Sequence, residues 1–281
     1  MISFLFRNKF LKIFLISVCL LFSTYLKAQE QNFPFQNFQN ITTANGLSCN
    51  DVRSLIQDHN GFMWFATFYG LCRYDGYDFK NYYYNPADSN SISPGYYWSM
   101  FEDKKGIIWL CSTTQGFYSF NPVTEKFKHY RHQKGNINSL ASDGIEGGFV
   151  QDSSGIIWIG TSAGLNSFNP VTNHFELFTH HDGDSTTLSS NANSWICTDE
   201  ENNLWYATSE NSIDYFNTQT KNIIAHFPAG SSALPGNIKT STITISDKSR
   251  NGNILVATSD NGFYVFNIYN TVYCKAKNWF R

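Results

Sequence analysis

Short apolar runs separated by turn signals recur along this chain, and residues 147–190 show the pattern most plainly. Phe149 and Val150 open a short strand that stops at Asp152. Ser153, Ser154 and Gly155 then turn the chain, because glycine reaches positive φ without steric cost. Residues 156–161 are mostly apolar and rich in β-branched side chains, which predicts a strand buried on both faces. A second turn at Ala163 and Gly164 leads to a third strand over 165–168. Asn169 and Pro170 turn again, since proline fixes φ and lacks a backbone donor. Phe175 to Phe178 is the fourth strand, and a polar link over 180–190 leads onward.

The same unit is written five times. Its signature is an aspartate, a turn glycine three positions on, and a tryptophan three further. The copies are Asp58, Gly61, Trp64; Asp103, Gly106, Trp109; and Asp152, Gly155, Trp158. A looser copy is Asp199, Asn202, Trp205, and a degenerate one runs through Asp247, Gly252 and Leu255. The tryptophans stand 45, 49 and 47 residues apart. A fixed period of this size marks a repeat architecture, and a four-stranded antiparallel unit at this period is a propeller blade.

The predicted fold is therefore an all-β propeller of about five four-stranded antiparallel blades. The blades fall at about 51–95, 96–142, 143–191, 192–238 and 239–281. Residues 29–50 precede them, with a strand expected over 35–41 to help close a ring. A seven-bladed ring needs about two more blades, so an incomplete ring, an open arc, is expected. A closed five-bladed ring is the alternative.

The repetition also decides how the signature is read. A binding or catalytic group is usually unique, whereas a packing rule recurs. The aspartates should bond backbone amides two residues on and shape the turn. The tryptophans should fill the seams between blades. Chemistry is then expected in what does not repeat, chiefly the links between blades.

Composition narrows the class. Aromatic residues make up 17% of the chain and charged residues 15%, with a formal net charge of -2. Many aromatics and few charges suit packed β structure, and the charge balance gives no attraction to nucleic acid. The first 28 residues read as a secretory signal: Arg7, Lys9 and Lys12, an apolar run over 13–22, and Ala28 before the cut. That run is short for a spanning helix, which needs about 20 apolar residues. No second such stretch follows, so no membrane span is expected beyond the signal, and a periplasmic address is. Five cysteines remain after the signal, with no paired or zinc-ligand spacing, so neither a disulfide framework nor a metal site is expected. No cofactor motif is present.

Residues 38–48, residues 52–67 with Asp58, Gly61 and Trp64, and residues 70–76 together resemble the first blade of the two-component regulator propeller family. The resemblance covers roughly residues 35–270. Asn202 in place of glycine and Leu255 in place of tryptophan depart from the pattern. The resemblance implies the periplasmic sensor region of a hybrid two-component histidine kinase of Bacteroidetes. It also implies an oligosaccharide ligand, a homodimer formed through the full-length sensor, and a chain that holds only its N-terminal portion.

The function expected is non-catalytic ligand sensing. Sugar recognition uses aromatic faces with convergent polar groups. Tyr83, Tyr97, Trp98 and Trp195, in or beside the inter-blade links, are the candidate ligand residues. An interaction propeller without a small ligand is the alternative. A carbohydrate-active enzyme would need an acid/base pair such as Asp143 and Glu146, which no motif singles out. His180, His181, Asp182 and Asp184 form a polar cluster in the third link, read as a solvated loop rather than a metal site.

Overall fold

A computed structural model describes residues 40–210 and 212–228 in full, and a fifth sheet by the backbones of its strands. The signal segment and residues 35–39 of the expected closing strand lie outside the described residues. Thr42–Arg281 is one compact unit and carries every sheet.

Each sheet is a meander of four antiparallel strands in chain order. The first holds β1 (Val52–Gln57), β2 (Met63–Thr67), β3 (Gly70–Tyr74) and β4 (Phe79–Tyr83). The second holds β5 (Tyr97–Glu102), β6 (Ile108–Ser112), β7 (Gly116–Asn121) and β8 (Lys126–Tyr130). The third holds β9 (Phe149–Gln151), β10 (Ile157–Thr161), β11 (Gly164–Asn169) and β12 (His174–Phe178). The fourth holds β13 (Asn193–Thr198), β14 (Leu204–Thr208), β15 (Ile213–Asn217) and β16 (Asn222–Phe227). The fifth holds β17 (Ile243–Lys248), β18 (Ile254–Thr258), β19 (Gly262–Phe266) and β20 (Cys274–Lys275). This is the all-β blade architecture that the period predicts.

The first strands sit together: β1 packs on β5, and β13 packs on both β9 and β17. They form the inner edge of the fan. Among the described residues no extended contact joins the first sheet to the fifth.

The signature residues work as a unit. The indole Nε1 of Trp64 donates to Asp58 Oδ2 at 2.8 Å. Trp109 donates to Asp103 at 2.9 Å, Trp158 to Asp152 at 2.8 Å, and Trp205 to Asp199 at 3.3 Å. The other carboxylate oxygen shapes the turn. Asp58 Oδ1 accepts from the amides of Asn60 and Phe62, and Asp152 Oδ1 from those of Ser154 and Ile156. A buried carboxylate is tolerated because its oxygens are bonded, some of them charge-assisted by nearby N–H groups. The turn position has positive φ in all four copies: 89° at Gly61, 76° at Gly106, 88° at Gly155 and 69° at Asn202. Asparagine is the residue that best tolerates this region after glycine, so the fourth copy departs in sequence and not in geometry.

The tryptophans bridge blades as expected. Trp64 meets Phe120 edge-on at 5.5 Å, Trp109 meets Phe168 at 6.0 Å, and Trp158 meets Phe216 at 5.4 Å. Each phenylalanine lies on the third strand of the following sheet. The apolar clusters accordingly span the seams rather than the sheets.

The links contradict the expectation that they carry no repeat. Asn85, Gln133 and His181 each donate a backbone amide to the hydroxyl six positions on, at Ser91, Ser139 and Thr187. Asp88, Asn136 and Asp184 each accept the amide two positions on. Ile92, Leu140 and Leu188 follow and are buried in the seams. The links are a second repeated motif built from hydrogen-bonding classes rather than identities.

Candidate functional site

A bulge recurs near the start of the inner strands. Register slips between Val52 and Ser54 in β1, between Tyr97 and Ser99 in β5, and between Asn193 and Trp195 in β13. The extra residues are Arg53, Trp98 and Ser194, each five positions before its signature aspartate. Bulges re-aim side chains and are frequent beside functional sites. The backbone repeats here while the side chain does not, which is where ligand chemistry is to be sought.

Arg53 and Trp98 meet. The guanidinium carbon lies 4.9 Å from the Trp98 ring centroid and 5.3 Å from that of Tyr96. Tyr96 packs on Phe68 at 4.7 Å, and Phe68 on Tyr69 at 5.3 Å. The Gly95 amide donates to the Phe68 carbonyl, tying the link to the β2–β3 turn. Three of these rings stay open: Tyr69 is 56% exposed, Trp98 46% and Tyr96 41%. Arg53 Nε donates to Asp51 Oδ1 at 2.7 Å, which fixes the guanidinium over the rings and supplies both a donor and an acceptor at the surface. Adjacent aromatic faces with a fixed polar pair can take the apolar face and the hydroxyls of a sugar.

Of the four candidates named from sequence, only Trp98 belongs to this patch. Tyr83 is exposed at the end of β4, opposite Gly70, and makes no ring contact with the patch among the described residues. Tyr97 is fully buried, its hydroxyl donating to the Ser93 carbonyl and its ring edge-on to Tyr118 at 5.8 Å. Burial pushes its phenol far up, so it is a neutral packing residue, and its placement among loop aromatics is corrected. Trp195 is half-buried on β13, in the fourth sheet, with its carbonyl accepting from Asn193. Arg53, Phe68 and Tyr69 escaped sequence reasoning. The available signal for Arg53 was its offset, five residues before Asp58 as Trp98 is before Asp103.

The other polar groups have structural partners. Asp143 takes Arg131 Nη2 at 2.8 Å and the His132 amide at 2.7 Å. Glu146 is exposed. His180 Nδ1 bonds the Leu188 carbonyl at 2.5 Å and Nε2 faces Asp182. Among the described residues no group of three metal-ligating side chains converges. Cys49, Cys72 and Cys111 are free thiols. No described helix is long and apolar enough to cross a membrane.

The family described as "Two component regulator propeller" matches residues 46–69 and 91–114. Histidine kinase P4 of Formosa agariphila is 47% identical over 68 residues, 24% of this chain and 5% of that protein. The extracellular domain of the hybrid two-component system BT3049 of B. thetaiotaomicron superposes with a TM-score of 0.69 at 26% identity, over 84% of this chain and 31% of that domain. The extracellular domain of BT4673 from the same organism shares the fold, with a TM-score of 0.51 at 17% identity, over 81% of this chain and 37% of that one. The chain thus spans well under half the length of these relatives. What it matches is extracellular propeller, not a kinase domain. Its first two sheets thus carry the segments that match two-component regulator propeller repeats, within a fold shared with an extracellular sensor domain.

Proposed function

We propose that the chain is a non-catalytic part of the ligand-sensing region of a hybrid two-component system, and that the Tyr69, Tyr96, Trp98 and Arg53 patch recognises an oligosaccharide. The observation that carries this reading is the patch itself. Two bulged inner strands set an arginine and a tryptophan against one another, beside two open tyrosines. Likeness to extracellular sensor domains supports the sensory role. The basic and apolar start of the chain supports export to the periplasm through a signal over 1–28. Pairing of two copies through the full-length sensor belongs to the same reading.

Calorimetry of the purified mature chain against a panel of neutral oligosaccharides tests it. At least one sugar should bind, without product formation, and Trp98→Ala should weaken it roughly five- to thirtyfold with no change in melting temperature. Loss of one stacking ring at an open site is worth about 1–2 kcal/mol, which sets that ratio. A folded chain that binds no sugar would leave a protein-interaction propeller. Hydrolysed sugar would make it an enzyme. Either result overturns the proposal.

A further inference from the structure

A clasp recurs on the outer edge of the blades. In the second, third and fourth sheets the turn between third and fourth strands holds a non-glycine residue at positive φ: Glu125 at 56°, Asn173 at 55° and Lys221 at 59°. Each reaches back to the fourth strand of the preceding sheet. Glu125 pairs with Lys80 at 2.5 Å, Lys221 pairs with Glu176, and Asn173 Oδ1 accepts from Lys128 Nζ at 2.9 Å. The outer two clasps are ion pairs. The middle one joins a lysine to a neutral amide, so the charge of Lys128 is left without a counterion.

At that same seam, between the second and third sheets, a groove of about 870 Å³ opens. The equivalent space at the next seam, lined by both Glu176 and Lys221, is about 270 Å³. The larger groove is lined by Lys104, Lys105, Lys126 and Lys128. None of these four is among the described ion pairs. The one carboxylate in the lining, Asp103, is engaged by the Trp109 indole and by two backbone amides. His129 adds no cation, because burial holds its imidazole below its usual value. Pro170, Val171 and Ile107 supply apolar wall, and Asn90, Asn121 and Asn169 supply neutral hydrogen-bonding groups. The volume lies in the range of ligand sites, about 300–1,000 Å³.

We infer that this groove is a second binding site, for an acidic oligosaccharide whose sugars carry carboxylate or sulfate groups. Four lysines on two elements, the β5–β6 turn and β8, present separated point charges rather than one bidentate fork. That suits anions spaced along a chain more than a single phosphate. The choice of a sugar over another polyanion rests on the sensor reading above, but the site shares no residue with the aromatic patch.

The probes are hexagalacturonate, cellohexaose and hexaglutamate, titrated calorimetrically into the mature chain. Hexagalacturonate should bind, and its affinity should fall about tenfold or more between 50 and 300 mM salt, since such charges are screened. Lys105→Glu with Lys126→Glu should weaken it at least tenfold. Asn173→Glu should also weaken it, because it restores the ion-pair clasp at a backbone position where Glu125 already shows that glutamate fits. Lys134→Ala, at an exposed lysine outside the groove, should leave it unchanged. Melting temperatures identify any variant that fails to fold. Undiminished binding in both lysine and Asn173 variants, or hexaglutamate binding as tightly as hexagalacturonate, overturns the inference. Cellohexaose binding that only Trp98→Ala abolishes, with no hexagalacturonate binding, sinks this site and leaves the sensor reading intact. Hexagalacturonate binding that depends on the lysines, with no neutral sugar bound, does the reverse for the aromatic patch.

Discussion

Replacing Trp158 with alanine should destabilise the fold by about 3–5 kcal/mol, the usual cost of emptying a buried aromatic site. The structure says why the cost belongs at the high end of single substitutions. The side chain is 1% exposed, sits 5.8 Å from Phe178 in its own sheet and 5.4 Å from Phe216 in the next, and its Nε1 donates to the buried Asp152. Alanine removes the blade-to-blade contact and the donor together. Trp158→Phe separates them: a ring remains against Phe216, but Asp152 Oδ2 loses its partner. An orphaned buried acceptor costs about 1–3 kcal/mol, so phenylalanine should fall between wild type and alanine. Urea unfolding followed by far-ultraviolet circular dichroism measures both, since neither readout depends on tryptophan emission. An alanine variant within about 1 kcal/mol of wild type would refute the placement of the indole in the seam. A phenylalanine variant as stable as wild type would refute only the carboxylate bond.

Two further outcomes follow from close contacts elsewhere. A β-carbon at Gly160 would lie 1.9 Å from Asn193 Oδ1 in the neighbouring blade, so Gly160→Ala should cost about 1–3 kcal/mol in thermal unfolding, and Asn193→Ala should restore part of it. An alanine variant with unchanged stability would show that the third and fourth blades do not approach this closely. His226 faces the fully buried Asp214 across a strand pair, at 2.7 Å, and its Nε2 meets the Ser185 carbonyl. Burial lowers the pKa of His226, but the Asp214 bond, the Ser185 carbonyl and the Asp214 charge outweigh it and hold the imidazole above its ordinary 6.5. A raised pKa adds stability that is complete below about pH 6.5 and lost as pH rises through the folded value. The melting temperature of wild type relative to His226→Gln should therefore fall as pH rises above about 6.5; parallel curves would remove the imidazole from that role.

The blades were legible because their signature is carried by residue types that few others can replace. Glycine at positive φ, a carboxylate that accepts from a turn, and a ring large enough to fill a seam leave little freedom. The spacing of Asp152 and Trp158 by six was visible too, yet the bond between them was not. It depends on the turn folding the chain so that strand-end carboxylate and mid-strand indole face one another. The repeated links stayed hidden for the opposite reason. Asn85, Gln133 and His181 are three different residues, two carboxamides and an imidazole; what they share is a backbone amide, met by Ser91, Ser139 and Thr187. Identity-based comparison sees unlike residues where the hydrogen bonds are alike.

That distinction relocates where specificity can reside. If the links repeat as scaffolds, their polar side chains are largely consumed in holding the loops, as Asp184 is by Thr186. Freedom remains where the backbone is fixed by its neighbours and the side chain differs from blade to blade. The bulge five residues before the aspartate is such a place in three blades: the same register shift carries arginine, tryptophan and serine. The left-handed turn residue is another. Its φ is nearly constant at Glu125, Asn173 and Lys221, while its charge runs from negative through neutral to positive. Glycine would satisfy that backbone better, so the side chain is retained for what it touches. Two of the three close a seam with an ion pair, and the third leaves its seam open beside four lysines. A repeat fold can thus vary one position per blade and change which seams admit a ligand, with the packing rule of aspartate and tryptophan left untouched.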